Sequence, residues 1–156
     1  MESLRCVNIG CGMDYRQSTA QAHWLNTDLS ATARCDVVHD IRTERLPVED
    51  GEVDVVYASG VLEQILLNEH LLFAFNEVWR VLKPGGKFNI VVPNAEHSIA
   101  FQDPWDVRKF VPKTFQYFLN GSREYKLYGK IYGFKPWNAV VIEENERHIL
   151  VVTLVK

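Results

Sequence analysis

The sequence predicts an α/β domain with a mostly parallel, doubly wound sheet that closes on an antiparallel hairpin. Three observations predict it. Short apolar runs recur through the first two-thirds of the chain, several of them apolar at consecutive positions, as strands covered on both faces are. A stretch with helical spacing separates the last two runs, which implies a right-handed crossover between parallel neighbours. The end of the chain then alternates about a polar centre, as a hairpin does.

The expected strands are "RCVNIG" (5–10), "HWLNTD" (23–28), "DVVHD" (36–40), "VDVVYAS" (53–59) and "KFNIVVP" (87–93), each bounded by Gly, Asp or Pro. Leu71, Phe75, Val78 and Leu82 recur at three- and four-residue intervals and define one face of a helix, which Pro84, Gly85 and Gly86 stop. After Pro93 the texture changes to a loop, followed by a short helix from about Pro112 to Leu119. Proline suits its first position, and Asn120-Gly121 suits its exit. "WNAVVIEENERHILVVTLV" reads as two strands joined at Glu144–Glu146. The chain therefore reads as one domain, 1–156, with parts at 1–93, 94–137 and 138–156, and without repeats or linkers.

At 156 residues, 47% apolar and 24% charged, the composition is that of a globular protein with a full core. No apolar run approaches the roughly 18 residues of a membrane span. "MESLRCVNIG" enters a strand at once, leaving no room for a signal peptide. Cys6, Cys11 and Cys35 are odd in number and lack C-x-x-C spacing, so neither disulfides nor a metal site is expected and a cytoplasmic location fits. The net charge of −3 hides an asymmetry. Residues 1–104 hold eight Lys/Arg against fifteen Asp/Glu, whereas residues 105–137 hold seven against two, interleaved with ten aromatics. Such a block is either a surface for an anionic partner or a solvated basic face around aromatic core residues.

"VNIGCGMDY" (7–15) places two glycines directly after the first strand, where backbone N–H groups can approach a ligand. A dinucleotide site needs a third glycine where Tyr15 stands, and Asp14 beside it repels phosphate. A nicotinamide oxidoreductase is disfavoured on this ground. Asp28, eighteen residues beyond Gly10, ends the second strand, where an acidic side chain can accept both hydroxyls of a ribose. Asp40 ends the third, where it can accept an adenine amino group while Ile41 flanks the ring. A glycine turn with two strand-end carboxylates suits a nucleoside carrying an amino-acid tail and no phosphate, which is S-adenosylmethionine.

From Val7 to about Phe118 the sequence resembles the class I S-adenosylmethionine-dependent methyltransferases, specifically the type 11 methyltransferase domain. "VNIGCG" resembles the first motif of that family and "WLNTDLS" its ribose-binding strand end. "VVHDIRTERLPVEDGEVDVVYASGVLEQI" resembles its adenine-side and fourth-strand motifs, and "EVWRVLKPGGKFNIVVPN" its fifth-strand signature. The resemblance implies a Rossmann-like, seven-stranded sheet with the last strand antiparallel, and residues 1–93 as the cofactor-binding half. It also implies that Gly10, Cys11 and Gly12 border the methionine portion and that Asp28 binds the ribose. Leu29, Asp40 and Ile41 would surround the adenine, and Ser59, Gly60 and Leu62 would lie by the amino-acid tail or sulfonium. The sequence departs from the family in three places. "MDYRQSTAQAH" has no amphipathic face, so the helix after the first motif is expected to be short or absent. Gly60 and Gln64 stand where relatives carry histidines, and Asp106 replaces the histidine of an Asp-Pro-x-His-x-Arg segment.

Methyl transfer is an in-line displacement at a carbon that a sulfonium already activates, so alignment and water exclusion matter more than a catalytic dyad. A base is needed only for a protonated acceptor. No Asn-Pro-Pro-Tyr or Pro-Cys motif names a nucleic-acid base, so the acceptor is a small-molecule or anionic compound of open identity, with nucleic acid unsupported by any motif. His97 is a candidate base, and Asp106 and Arg108 are candidates to orient the substrate or to pin their own loop. Glu63 and His70 read as helix-surface residues, and Trp105, Phe110, Tyr117 and Phe118 as cavity walls or core. The alternative to an enzyme is a catalytically degenerate, methyltransferase-like binding or scaffold protein.

Overall fold

The computed structural model describes residues 3–156. Strands β1 (Leu4–Ile9), β2 (Ala22–Asp28), β3 (Val37–Val38), β4 (Val53–Ser59), β5 (Leu82–Pro93), β6 (Ala139–Glu144) and β7 (Ile149–Val155) form one sheet in the order β3-β2-β1-β4-β5-β7-β6. All neighbours are parallel except β7, which runs antiparallel to both β5 and β6. The expected mostly parallel sheet with a terminal hairpin is thus the one found. The order reverses between β1 and β4, and their carboxyl ends open a crevice there, where open α/β sheets bind ligands.

The windings on the two faces are unequal. Helix α1 (Asn68–Val81) links β4 to β5 and buries Leu71, Phe75 and Val78 of the face its spacing predicts, with Ala74 and Val81 beside them. It ends earlier than expected: Leu82 is extended and opens β5, so Pro84, Gly85 and Gly86 lie within that strand. Phe75 stacks on Phe118 with ring centres 4.3 Å apart and meets Phe88 edge-on at 5.7 Å, the edge-to-face contact lying in the range that favours aromatic pairs. On this side β5 and β7 bury every second residue: Phe88, Ile90 and Val92, and Leu150, Val152 and Leu154. Among the described residues, the connections from β1 to β2, β2 to β3 and β3 to β4 are turns and loops without a helix. The helix that "MDYRQSTAQAH" fails to encode is absent, as expected.

A polar strap takes its place. Asn8 and Asn26 pair across β1 and β2, Nδ2 to Oδ1 at 3.1 Å, and both are buried. Asn8 Nδ2 also donates to the Asp14 carbonyl, and Asn26 Oδ1 accepts the Arg16 N–H, so the strap's own backbone is satisfied by the sheet's side chains. The Arg16 guanidinium sits 3.7 Å from the centre of the Tyr57 ring and 4.9 Å from that of Trp24. One arginine thereby covers two aromatics that a helix would otherwise shield. Arg16→Ala is expected to lower unfolding stability by about 1–2 kcal/mol, the scale of partly desolvated cation–π contacts. A urea titration checks this, and Arg16→Met should recover only the share that belongs to stem packing.

Two elements are shorter than the sequence suggests. The third strand is two residues long because Asp36 turns back, its Oδ2 accepting both the N–H and the side-chain amide of Asn26. The helix expected to reach Leu119 is a 3₁₀ segment, Pro112–Tyr117, followed by a π-helical turn at Tyr125–Gly129. No helix of the described residues is long and apolar enough to cross a membrane.

Candidate cofactor site

The carboxyl ends of β1, β2 and β4 border a cavity of about 400 Å³. Gly10, Gly12, Asp28, Leu29, Asp40, Ile41 and Gly60 line it, seven of the residues chosen from sequence. Gly10 and Gly12 take φ of +60° and +47°, a left-handed backbone that side chains disfavour. The Asp28 carboxylate accepts the Gly12 N–H at Oδ2 and the Ser30 N–H at Oδ1, both at 2.8 Å. Those bonds fix its orientation and leave one lone pair on each oxygen, the two acceptors a vicinal diol needs.

Asp40 is less free. Arg42 grips it with Nε to Oδ1 and Nη2 to Oδ2, both at 2.8 Å, while the Arg42 N–H adds a bond to Oδ1 at 3.0 Å. This fork holds the carboxyl below its usual pKa and leaves one lone pair, on Oδ2. Ile9, His39, Arg42, Val61, Gln64, Ile65 and Trp105 complete the lining, and sequence reasoning did not place them there. For Arg42 a signal existed: an arginine two residues beyond a strand-end aspartate is well spaced to pair with it.

Three chosen residues stand behind the lining. Cys11 is buried, and its Sγ faces the Arg34 carbonyl at 3.3 Å, so its thiol points away from the crevice. Burial, with the Asp28 charge next, raises its pKa, so the thiol stays protonated. Leu62 is core, and half-buried Ser59 pairs with Val91 of β5.

The acceptor-side residues are not brought together. Arg108 spends its guanidinium on the carbonyls of Ile65 and Leu66 and on Asn68 Oδ1, at 2.9–3.1 Å, and its N–H on the Glu63 carbonyl at 2.7 Å. It pins residues 103–110 onto the turn between β4 and α1. Asp106 stays close to Gln64 and Asp103, and burial raises its pKa. His97 lies elsewhere, with Glu144 at 3.1 Å. Trp105 lines the cofactor cavity, Phe110 is core, and Tyr117 and Phe118 line a second, apolar cavity of about 580 Å³ beside α1.

Glu63 overturns an expectation. It is buried rather than on a helix surface, because the 3₁₀ turn Leu62–Gln64 is covered by the loop that Arg108 fastens down. Burial first, then the charges of Asp106 and Asp103, push its pKa to about 7. Its Oε2 has no hydrogen-bond partner. Nothing in "GVLEQI" distinguishes this glutamate from a solvated one.

A family model described as a methyltransferase domain matches residues 7–90. The chain belongs to this methyltransferase family. No curated protein matches its sequence. Among solved structures it is similar to an S-adenosylmethionine-dependent methyltransferase from Archaeoglobus fulgidus, with TM-score 0.70, 16% identity, and 99% of this chain and 86% of that one covered. It is also similar to the complex of the Haloferax volcanii Trm112 methyltransferase activator with a putative methyltransferase, with TM-score 0.66, 18% identity and 99% and 83% covered. A Thermotoga maritima methyltransferase described as a possible histamine N-methyltransferase gives TM-score 0.61, 14% identity and 100% and 84% covered. At such identities these likenesses establish the fold. The methyltransferase fold is therefore shared along nearly the whole chain, and S-adenosylmethionine is the cofactor that goes with the domain.

Proposed function

We propose that this methyltransferase domain holds S-adenosylmethionine in the β1/β2/β4 crevice and passes its methyl group to an acceptor that approaches past Trp105 and Gln64. The observation that supports this most is the Asp28 carboxylate, aimed by two backbone amides with a free lone pair on each oxygen. The cofactor supplies an activated methyl carbon, and the chain's residues bind, orient and exclude water. Gly10, Gly12 and Gly60 keep side chains out of the tail's path, while Leu29 and Ile41 offer apolar surface to the base. Residues 1–93 act as the cofactor-binding half, and residues 94–137 supply the acceptor side. The acceptor is small or anionic. The basic stretch 105–137 favours an anion, although Lys113 within it is already paired with Glu124 at 2.9 Å.

Asp28→Ala is expected to weaken cofactor binding by about 1–3 kcal/mol, the cost of losing hydrogen bonds to a charged group. Calorimetry with S-adenosylmethionine measures it. A folded variant that binds as the native chain does would overturn the ribose assignment. Absence of binding by the native chain at millimolar cofactor would remove the proposal itself.

A second reading, a methyltransferase-like binding protein without turnover, draws support from Arg42. Its fork occupies three of the four lone pairs that Asp40 offers to the adenine side. Tight cofactor binding with no methyl transfer to any of a broad acceptor panel favours that reading.

A further inference from the structure

The sheet is covered on one face only. On the α1 side Val56, Phe88, Ile90, Val152 and Leu154 are all buried. The strand registers place Val55, Val91, Val141, Val151 and Val155 on the opposite face, and none of them is buried. Val141 is 56% exposed and Val151 38%. Sheets built mainly of parallel strands are ordinarily covered on both faces, because their crossovers lay helices there. Here the connections from β1 through β4 supply no helix, and the polar strap shields only the β1–β2 end, where Arg16 lies on Tyr57. The part formed by β5, β7 and β6 stays open.

Two opposite charges mark this open face. Lys87 shares a row with Val55 and Val155, and Glu143 shares one with Val91 and Val151. Both side chains are exposed, and neither has an ion-pair or hydrogen-bond partner among the described residues. They stand two strands and four residues apart in register, roughly 16 Å by standard strand spacing and rise, so they cannot pair within one chain. Thr153 lies midway between them, its Oγ1 donating to Asn89 Oδ1 at 2.9 Å. A two-fold axis over Thr153 therefore exchanges the two charges. Lys87 of each copy then stands opposite Glu143 of the other.

We propose that a second copy of this chain covers the open face, the two sheets packing face to face about an axis over Thr153. Such a contact is isologous and closed, the commonest symmetry of soluble oligomers. The surface suits another sheet, since between the two charges its side chains are the short ones of Val, Thr and Asn, and stacked sheets approach to about 10 Å. The two ion pairs lie toward the rim, where they fix the alignment and penalise others that bring like charges together. Four strands and three side-chain rows give roughly 400 Å² in plan, below the roughly 800 Å² per partner of a standard interface, so the dimer is a weak one, with Kd on the order of 10 µM. None of this depends on what the crevice holds.

Sedimentation velocity of the full chain, from tenfold below that Kd to tenfold above it, tests the proposal. The expected result is a shift from monomer to dimer across the range. Lys87→Glu sets two carboxylates against each other at both contacts, and Glu143→Lys sets two ammonium groups. Each substitution alone should raise Kd about 10-fold or more, since like charges brought together are costly. An equimolar mixture of the two variants should dimerise again, because every contact then joins a carboxylate to an ammonium. Thermal melts followed by circular dichroism show that both variants are folded. A native chain that stays monomeric throughout would overturn the proposal and leave the face to a helix of another protein. A dimer that neither substitution weakens would overturn it too, placing the contact elsewhere, as at the free edge of β6. So would a mixture of folded variants that associates no better than either alone.

Discussion

Glu63→Gln raises the stability of the chain at pH 8 by about 2–3 kcal/mol and leaves it nearly unchanged below pH 4.5. The reason is burial. Glu63 is 4% exposed, and the backbone N–H groups of its own turn, at Glu63 and Val61, offset that burial only in part. Its pKa rises from 4.5 to about 7. Over that window the folded chain keeps a proton that the unfolded chain releases, so stability falls as pH rises from about 4.5 through about 7. The contribution is present in full below the unfolded value and gone above the folded one. A glutamine is neutral throughout and removes that slope. Denaturant midpoints at pH 5 and pH 8 provide the check: parallel profiles for the two proteins would show that the carboxyl is ionised and solvated at neutral pH. Asp103→Asn should flatten the slope partially, since its charge is one of the two that raise the Glu63 pKa beyond the burial effect.

That glutamate also marks where sequence reasoning stops. Strand positions were legible because apolar runs carry them directly; β4 begins and ends at Val53 and Ser59, as read. That Asp28 borders the cavity was legible because a residue ending a strand beside a glycine turn faces the crevice that an open α/β sheet forms at its carboxyl edge. Arg108 and Glu63 were not, because each depends on a partner across the fold. Arg108 is fixed by carbonyls more than forty positions away in the chain, at Ile65 and Leu66. Charge patterning therefore described residues 105–137 by composition, while the structure ties Arg108 and Lys109 to carbonyls and Lys113 to a carboxylate. His97 shows the same limit. Its side chain lies beside Glu144 and His148, which the chain brings alongside only by adding two antiparallel strands after residue 137. The missing helix after Gly12 was legible as an absence of pattern, but not its replacement, since no local rule announces that Arg16 will cover Tyr57 and Trp24.

Gly10→Ala narrows the candidate cofactor cavity from within. A methyl group at residue 10 would stand 2.4 Å from Val61 Cγ2, and the backbone there is held at φ +60°. Two costs add. The left-handed conformation disfavours any Cβ by about 1–2 kcal/mol. The overlap requires Val61 to move, and a β-branched side chain has few rotamers to move into. Val61 lines the same cavity, so its displacement changes the wall that faces the ligand. The expected outcome is a loss of about 2–3 kcal/mol in stability, typical of an overpacked site, with cofactor affinity reduced by about 100-fold, equivalent to about 2.7 kcal/mol. Val61→Ala in the Gly10→Ala background separates the terms. It removes the clashing methyl, so the double variant should regain the steric share and retain about 1 kcal/mol of backbone cost. Calorimetry on the native chain, both single variants and the double variant completes the cycle. If the double variant binds no better than Gly10→Ala alone, the loop shifts as a unit and the tight Gly10–Val61 approach does not shape the crevice.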